Sequence, residues 1–152
     1  VNLENIISDL IIMHSDTLRN NFIKVNFDFI DRNINIKTIP NLLSQVAYNI
    51  LINAKSALIK NELVKEKIID IRVLKTKSRV IIEIEDNAGG INEDIIDNIF
   101  EPYFTTKFNS TGVGVGLYLS YDIVVNQLNG KISVSNGSFG AIFKIELPFS
   151  IV

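Results

Sequence analysis

The stretch Ile69-Asp70-Ile71-Arg72-Val73-Leu74-Lys75-Thr76-Lys77-Ser78-Arg79-Val80-Ile81-Ile82-Glu83-Ile84-Glu85-Asp86 decides the fold. In an extended chain Ile69, Ile71 and Val73 point one way, and so do Val80, Ile82 and Ile84. Lys75-Thr76-Lys77-Ser78 between them reads as a hairpin turn. Charged or polar residues hold most alternate positions, so this sheet buries one face only. Doubly wound parallel sheets are covered on both faces and read as continuous apolar runs. The hairpin also makes the pair antiparallel. A Rossmann-type fold is therefore disfavoured, and the expectation is a two-layer α/β sandwich with a mixed, mainly antiparallel sheet.

The rest of the chain fits around that hairpin. Leu3, Ile6, Ile7, Leu10, Ile11 and Leu18 lie at helical spacing, which predicts a helix over residues 3–19. Ile23, Val25, Phe27 and Phe29 alternate as a strand, Asp31-Arg32-Asn33 reads as a turn, and a short strand is expected at Ile34–Ile36. Pro40 suits the first turn of a helix running to about Leu58, with Thr38 as its cap. A short helix is expected over Asn92–Ile99 and a longer one from roughly Gly114 to Gln127. A last hairpin joins Ile132 and Val134 to Phe143, Ile145 and Leu147 through Asn136-Gly137-Ser138. About three helices then cover the buried face. No internal repeat, low-complexity tract or linker interrupts residues 1–152, which read as one domain.

Composition narrows the chemistry. The 152 residues are 47% hydrophobic with a net charge of −2, enough to build a core without staples. The absence of cysteine excludes disulfide scaffolds, thiolate metal sites and cysteine nucleophiles. One histidine, His14, excludes multi-histidine metal sites. Nearly balanced charge argues against a nucleic-acid-binding face. No stretch reaches the roughly 20 apolar residues of a membrane span, and the start, Val1-Asn2-Leu3-Glu4-Asn5, is unlike a signal peptide. A cytoplasmic location is expected, and the absent initiator methionine suggests a piece of something longer.

Three features carry chemistry. Gln45, Asn49 and Asn53 stand four apart and form one stripe on their helix. An asparagine carboxamide is an uncharged oxygen ligand suited to a hard cation such as Mg²⁺, whose other positions are filled by phosphate and water. An ordinary solvated helix face is the competing reading. Asp86-Asn87-Ala88-Gly89-Gly90-Ile91 directly follows a strand, and Asp86 shares the face of Val80, Ile82 and Ile84. A carboxylate pointing into the buried layer needs a partner, and the amino group of a bound base would serve. Gly112-Val113-Gly114-Val115-Gly116-Leu117 stands at the mouth of a helix, where backbone N–H groups and the helix dipole favour an anion. It is neither a Walker-type loop nor a dinucleotide loop, since Leu117 stands where the latter needs glycine.

In order and spacing these motifs resemble the ATP-binding domain of the GHKL superfamily of gyrase-type topoisomerases, Hsp90 chaperones, histidine kinases and MutL proteins. The closest resemblance is to the catalytic and ATP-binding domain of bacterial sensor histidine kinases, with its Bergerat-type fold. Asn49-Ile50-Leu51-Ile52-Asn53-Ala54 is similar to the N box, Asp86–Ile91 to the first Gly box, Phe100–Lys107 to the F box and Gly112–Leu117 to the second Gly box. Gly140-Ala141 with Leu147-Pro148 resembles the closing segment. The resemblance implies ATP and Mg²⁺ as cofactors. It implies that Asn53 holds Mg²⁺, that Asn49 lies towards the phosphates, and that Asp86 accepts a hydrogen bond from the adenine amino group. Gly90 and Ile91 would shape the base pocket. Gly112, Gly114 and Gly116 would line the triphosphate, with Leu117 starting the supporting helix. Thr106 and Lys107 would flank a short lid, with Lys107 reaching a phosphate.

The sequence departs from the family pattern at Ala88, Val113, Ser56 and Ala57, where glycine, threonine, lysine and an aromatic are commoner. Asn49 discriminates among the relatives. Hydrolysing members and anti-sigma serine kinases resemble one another in carrying glutamate there, and an amide cannot act as a general base. The implied function is therefore transfer of the γ-phosphoryl group of Mg-ATP to a histidine on a separate dimerisation domain, in two-component signalling. His14 lacks the following acidic-x-x-x-Pro pattern of an acceptor and is expected to pack or cap. The implied partners are an upstream dimerisation and phosphoacceptor domain and a response regulator, with the isolated domain monomeric; a cytoplasmic location includes the cytoplasmic part of a membrane-bound sensor. Two alternatives stay open: another GHKL enzyme, either a serine kinase or an ATPase, and a regulatory nucleotide-binding module without catalysis.

Overall fold

A computed structural model describes residues 1–101 and 113–152. The described strands form one five-stranded sheet in the order β1-β2-β3-β5-β4. They are β1 (Ile23–Phe29), β2 (Lys67–Lys75), β3 (Arg79–Asp86), β4 (Lys131–Asn136) and β5 (Ala141–Pro148). β1 runs parallel to β2, and every other neighbouring pair is antiparallel. The expected mixed, mainly antiparallel sheet is present.

Register makes the one-sided burial explicit. Ile71 faces Ile84 and Val73 faces Ile82 across the β2–β3 pair, while Ile84 faces Phe143 and Ile82 faces Ile145 across β3–β5. These six side chains are buried. On the other face Arg72 holds Glu83 at 3.2 Å and Glu85 at 2.9 Å, a cross-strand arrangement that keeps three charges partly wet.

The helices are α1 (Leu3–Met13), α2 (Ser15–Asn20), α3 (Pro40–Lys60) and α4 (Val113–Asp122), the last continued by a π-helical turn, Ile123–Gln127. α3 packs on β3 between α1 and α4. Leu43, Val46, Ala47, Ile50, Leu51, Ala54 and Leu58 bury one stripe of it at spacings of three and four residues. That stripe leaves Asn49 and Asn53 half-buried at its border. Phe143, 1% exposed, meets Phe100 edge-on with ring centroids 6.1 Å apart. Truncating it by Phe143→Ala should cost about 3–5 kcal/mol, read as a lower urea midpoint at unchanged slope.

Four local expectations are corrected. The helix expected over residues 3–19 is two, broken at His14 (φ −106°, ψ 9°), where the Ser15 hydroxyl donates to the Ile12 carbonyl at 2.8 Å. The expected strand at Ile34–Ile36 is reduced to isolated bridges, Asn2 with Asn35 and Lys37 with Ser150. Thr38 does not cap α3; Ile39 occupies that position with extended backbone and no side-chain bond, and Pro40 removes one of the orphan donors itself. The helix expected over Asn92–Ile99 contracts to one 3₁₀ turn, Ile96–Asn98, after Asn92 Oδ1 accepts the Asp94 N–H at 2.8 Å.

Candidate functional site

Asp86 ends β3 and is 3% exposed. It lies on the helix-covered face as strand alternation requires, opposite Ile69. Its Oδ1 accepts the Ala88 N–H at 2.9 Å. Burial pushes its carboxyl above the usual carboxylate range, while the N–H groups of Ala88 and Ala141 oppose that rise. A buried carboxylate with lone pairs to spare is an acceptor waiting for a donor.

The loop after Asp86 is held from three sides by asparagines. Asn61 Nδ2, just beyond α3, donates to the Ala88 carbonyl at 2.8 Å. Asn87 accepts the Ile68 N–H at 2.9 Å and donates to the Glu66 carbonyl at 2.6 Å. Asn136, at the end of β4, accepts the Ile91 N–H and donates to the Ile91 carbonyl, both at 2.8 Å. Gly90 has φ +90°, a backbone conformation that side chains with a β-carbon rarely adopt. The β4–β5 turn closes over the same loop. The Gly89 N–H donates to the Phe139 carbonyl at 2.9 Å. Gly140 approaches Asp86 so closely that a β-carbon would meet its carbonyl and stand 2.6 Å from Oδ1.

The second half of the site joins α3 to α4. Asn49 Nδ2 reaches Ser120 Oγ at 3.2 Å and the Gly116 carbonyl at 3.4 Å, and Ser120 Oγ donates to that same carbonyl at 2.8 Å. Asn53 stands one turn further along α3 on the same side, half-buried. Gly114 and Gly116 lie within α4, because the helix begins at Val113 rather than after the glycines. Leu117 is 5% exposed and sits in its second turn, anchoring α4 in the core rather than starting it. Thr106, Lys107 and Gly112, with most of the Phe100–Lys107 segment, lie outside the described residues. His14 packs its ring on Tyr48 with centroids 4.7 Å apart.

Among the described residues no group of three His, Cys, Asp or Glu side chains could hold a metal ion. The amide oxygens of Asn49 and Asn53 are a different donor set, one that fits a cation already carrying phosphate and water. The described helices include none long and apolar enough to cross a membrane. Asn61, Asn87 and Asn136 were invisible as site residues in the sequence. Only Asn87 lies inside a recognisable motif, and the other two act across 27 and 45 residues of chain.

Comparison with known proteins identifies the family and the fold. The sequence profile of the "Histidine kinase-, DNA gyrase B-, and HSP90-like ATPase" family matches residues 38–151. The chain is similar to the two-component sensor PprA of Pseudomonas aeruginosa, 36% identical over 110 residues that cover 71% of this chain and 12% of PprA. It is similar to the sensor protein KdpD of Clostridium acetobutylicum, 35% identical over 150 residues, 96% of this chain and 16% of KdpD. It thus spans under a fifth of either sensor. Among solved structures, the nucleotide-free catalytic domain of the histidine kinase ThkA superposes with a TM-score of 0.89 at 24% identity, covering 99% of this chain and 95% of that one. The fold is that of a histidine kinase catalytic domain, and the chain belongs to the family of histidine kinase-, DNA gyrase B- and HSP90-like ATPases.

Proposed function

We propose that this chain is the catalytic and ATP-binding domain of a sensor histidine kinase. ATP supplies the γ-phosphoryl group and Mg²⁺ neutralises its charge. The chain's own residues orient and select. Asp86 accepts the adenine amino group, Gly90 and Ile91 shape the base pocket, and Asn53 holds the metal with Asn49 beside it. Gly112, Gly114 and Gly116 follow the phosphates, with Thr106 and Lys107 beside the lid. The acceptor is a histidine on a separate dimerisation domain, and a response regulator takes the phosphoryl group onward. ThkA has been solved in complex with a response regulator protein, which supports that partner class. The domain would work in the cytoplasm.

The observation that carries the kinase reading is Asn49. Its amide is tied to Ser120 and the Gly116 carbonyl of α4, and an amide at this position cannot deprotonate water. An imidazole nucleophile already carries a lone pair, and phosphoryl transfer then depends on positioning and charge neutralisation. Calorimetry of the isolated chain with Mg-ATP, alongside a phosphate-release assay, tests this. Binding with negligible turnover is expected. Rapid turnover abolished by Asn53→Ala would move the assignment to an ATPase, and no binding would overturn it. In the same experiment Asn53→Ala should remove most of the Mg²⁺ enhancement of ATP affinity. Its melting temperature should not fall, since alanine is the better helix former.

A further inference from the structure

We propose that Asn136 is a positioning residue of the base pocket, an assignment that rests on the nucleotide reading above. Asn136 ends β4 opposite Ala141, in the hairpin that returns to the sheet beside Asp86. Its carboxamide engages one residue twice, accepting the Ile91 N–H and donating to the Ile91 carbonyl, each at 2.8 Å. Two bonds to both polar groups of one peptide residue fix its orientation as a strand neighbour would, without a strand. Ile91, partly buried, packs against the core, and the two bonds hold its backbone in that position.

The approach is close enough to constrain the neighbour. A β-carbon on Gly90 would lie 2.7 Å from Asn136 Oδ1, so glycine at 90 serves the clamp as well as the φ of +90°. The same hairpin touches the loop at two other points, through the Phe139 carbonyl on the Gly89 N–H and through Gly140 on Asp86. Of these three contacts only the one at Asn136 is made by a side chain. Residue 136 is therefore where the sequence of the turn sets the shape of the base-binding loop, while the contact at 139 is made by backbone alone. An aspartate would keep the acceptor but set a second oxygen against the Ile91 carbonyl.

The test compares wild type, Asn136→Ala and Asn136→Asp by ADP calorimetry, thermal melting of the nucleotide-free chain and amide exchange at Ile91. Both variants should bind ADP about tenfold more weakly, as expected when two hydrogen bonds that order a loop are lost. Both should melt above the assay temperature, and Asn136→Ala should expose the Ile91 amide to exchange. Wild-type affinity in either folded variant overturns the assignment. So does melting of both variants below the assay temperature, which would make Asn136 a residue of the fold. A wild-type chain that binds no ADP removes the nucleotide reading and this assignment with it. That outcome is distinct from failure of the assignment alone, where wild type and variants bind alike.

Discussion

Asp86→Asn is expected to weaken ADP binding about 10- to 100-fold while the nucleotide-free protein melts at or above the wild-type temperature. The first half follows from the loss of a hydrogen bond to a charged acceptor, about 1.5–3 kcal/mol. The asparagine also turns an N–H₂ towards the base amino group, donor against donor. The second half follows from burial. Ionising Asp86 costs desolvation, which is why its carboxyl lies above the ordinary value of 3.8. For an acid raised in the folded state, the stabilising contribution is present at low pH and is lost as pH rises through the folded value. The charged carboxylate therefore works against the fold, and the amide relieves it while still accepting the Ala88 N–H. Wild-type ADP affinity should fall as pH drops through the raised range in which the Asp86 carboxyl takes up its proton, and that dependence should vanish in the variant. Calorimetry across pH with parallel melting curves checks all three. Unchanged ADP affinity at neutral pH would refute the adenine contact, and a lower melting temperature would refute the desolvation account.

Gly140→Ala should be the most damaging single-atom change in the site. Its new methyl would press on the Asp86 carbonyl and on Oδ1 at 2.6 Å, and the first of these is backbone that cannot rotate aside. Either the β4–β5 turn lifts from the sheet or the end of β3 moves, and both displace the carboxylate that the site depends on. We expect a loss of about 3 kcal/mol in chemical denaturation together with loss of measurable ADP binding. Phe139→Ala is the control. That ring is 74% exposed, and the loop contact at 139 is made by its backbone carbonyl, so stability should stay within about 0.5 kcal/mol of wild type.

The sheet was largely legible because its information is local. Ile69, Ile71, Val73, Val80, Ile82 and Ile84 alternate, and a period of two in a half-buried strand leaves little choice of face. α3 was legible for the same reason, through Pro40 and its buried stripe. The break at His14 was not, because apolar spacing continues from Ile11 towards Leu18 across the interruption, and periodicity does not register a hydroxyl bonding back at Ser15. Residues Asn92–Ile99 misled in the opposite way: Ile95, Ile96 and Ile99 have helical spacing, but Asn92 spends its side chain on a turn. In the site, Asp86 lies on the buried face that strand alternation gave it, and Asn49 on the side of α3 that its spacing from Asn53 gave it. Asn61 and Asn136 were not legible, since a side chain bonding to distant backbone carries no periodic signal in an asparagine-rich chain.

The parallel pairing of β1 with β2 also shapes how the chain finds this structure. Ile23 meets Lys67, so the strands can join only after the intervening segment, α3 included, has been gathered in. β2 and β3, by contrast, are separated by a tight turn and can zip directly. Closing the longer loop costs more chain entropy before any contact rewards it. The pairing of β3 with β5, Glu85 with Ile142, closes a longer stretch still. The hairpins β2–β3 and β4–β5 are thus the natural early units, and the pairings that join them to each other and to β1 come later.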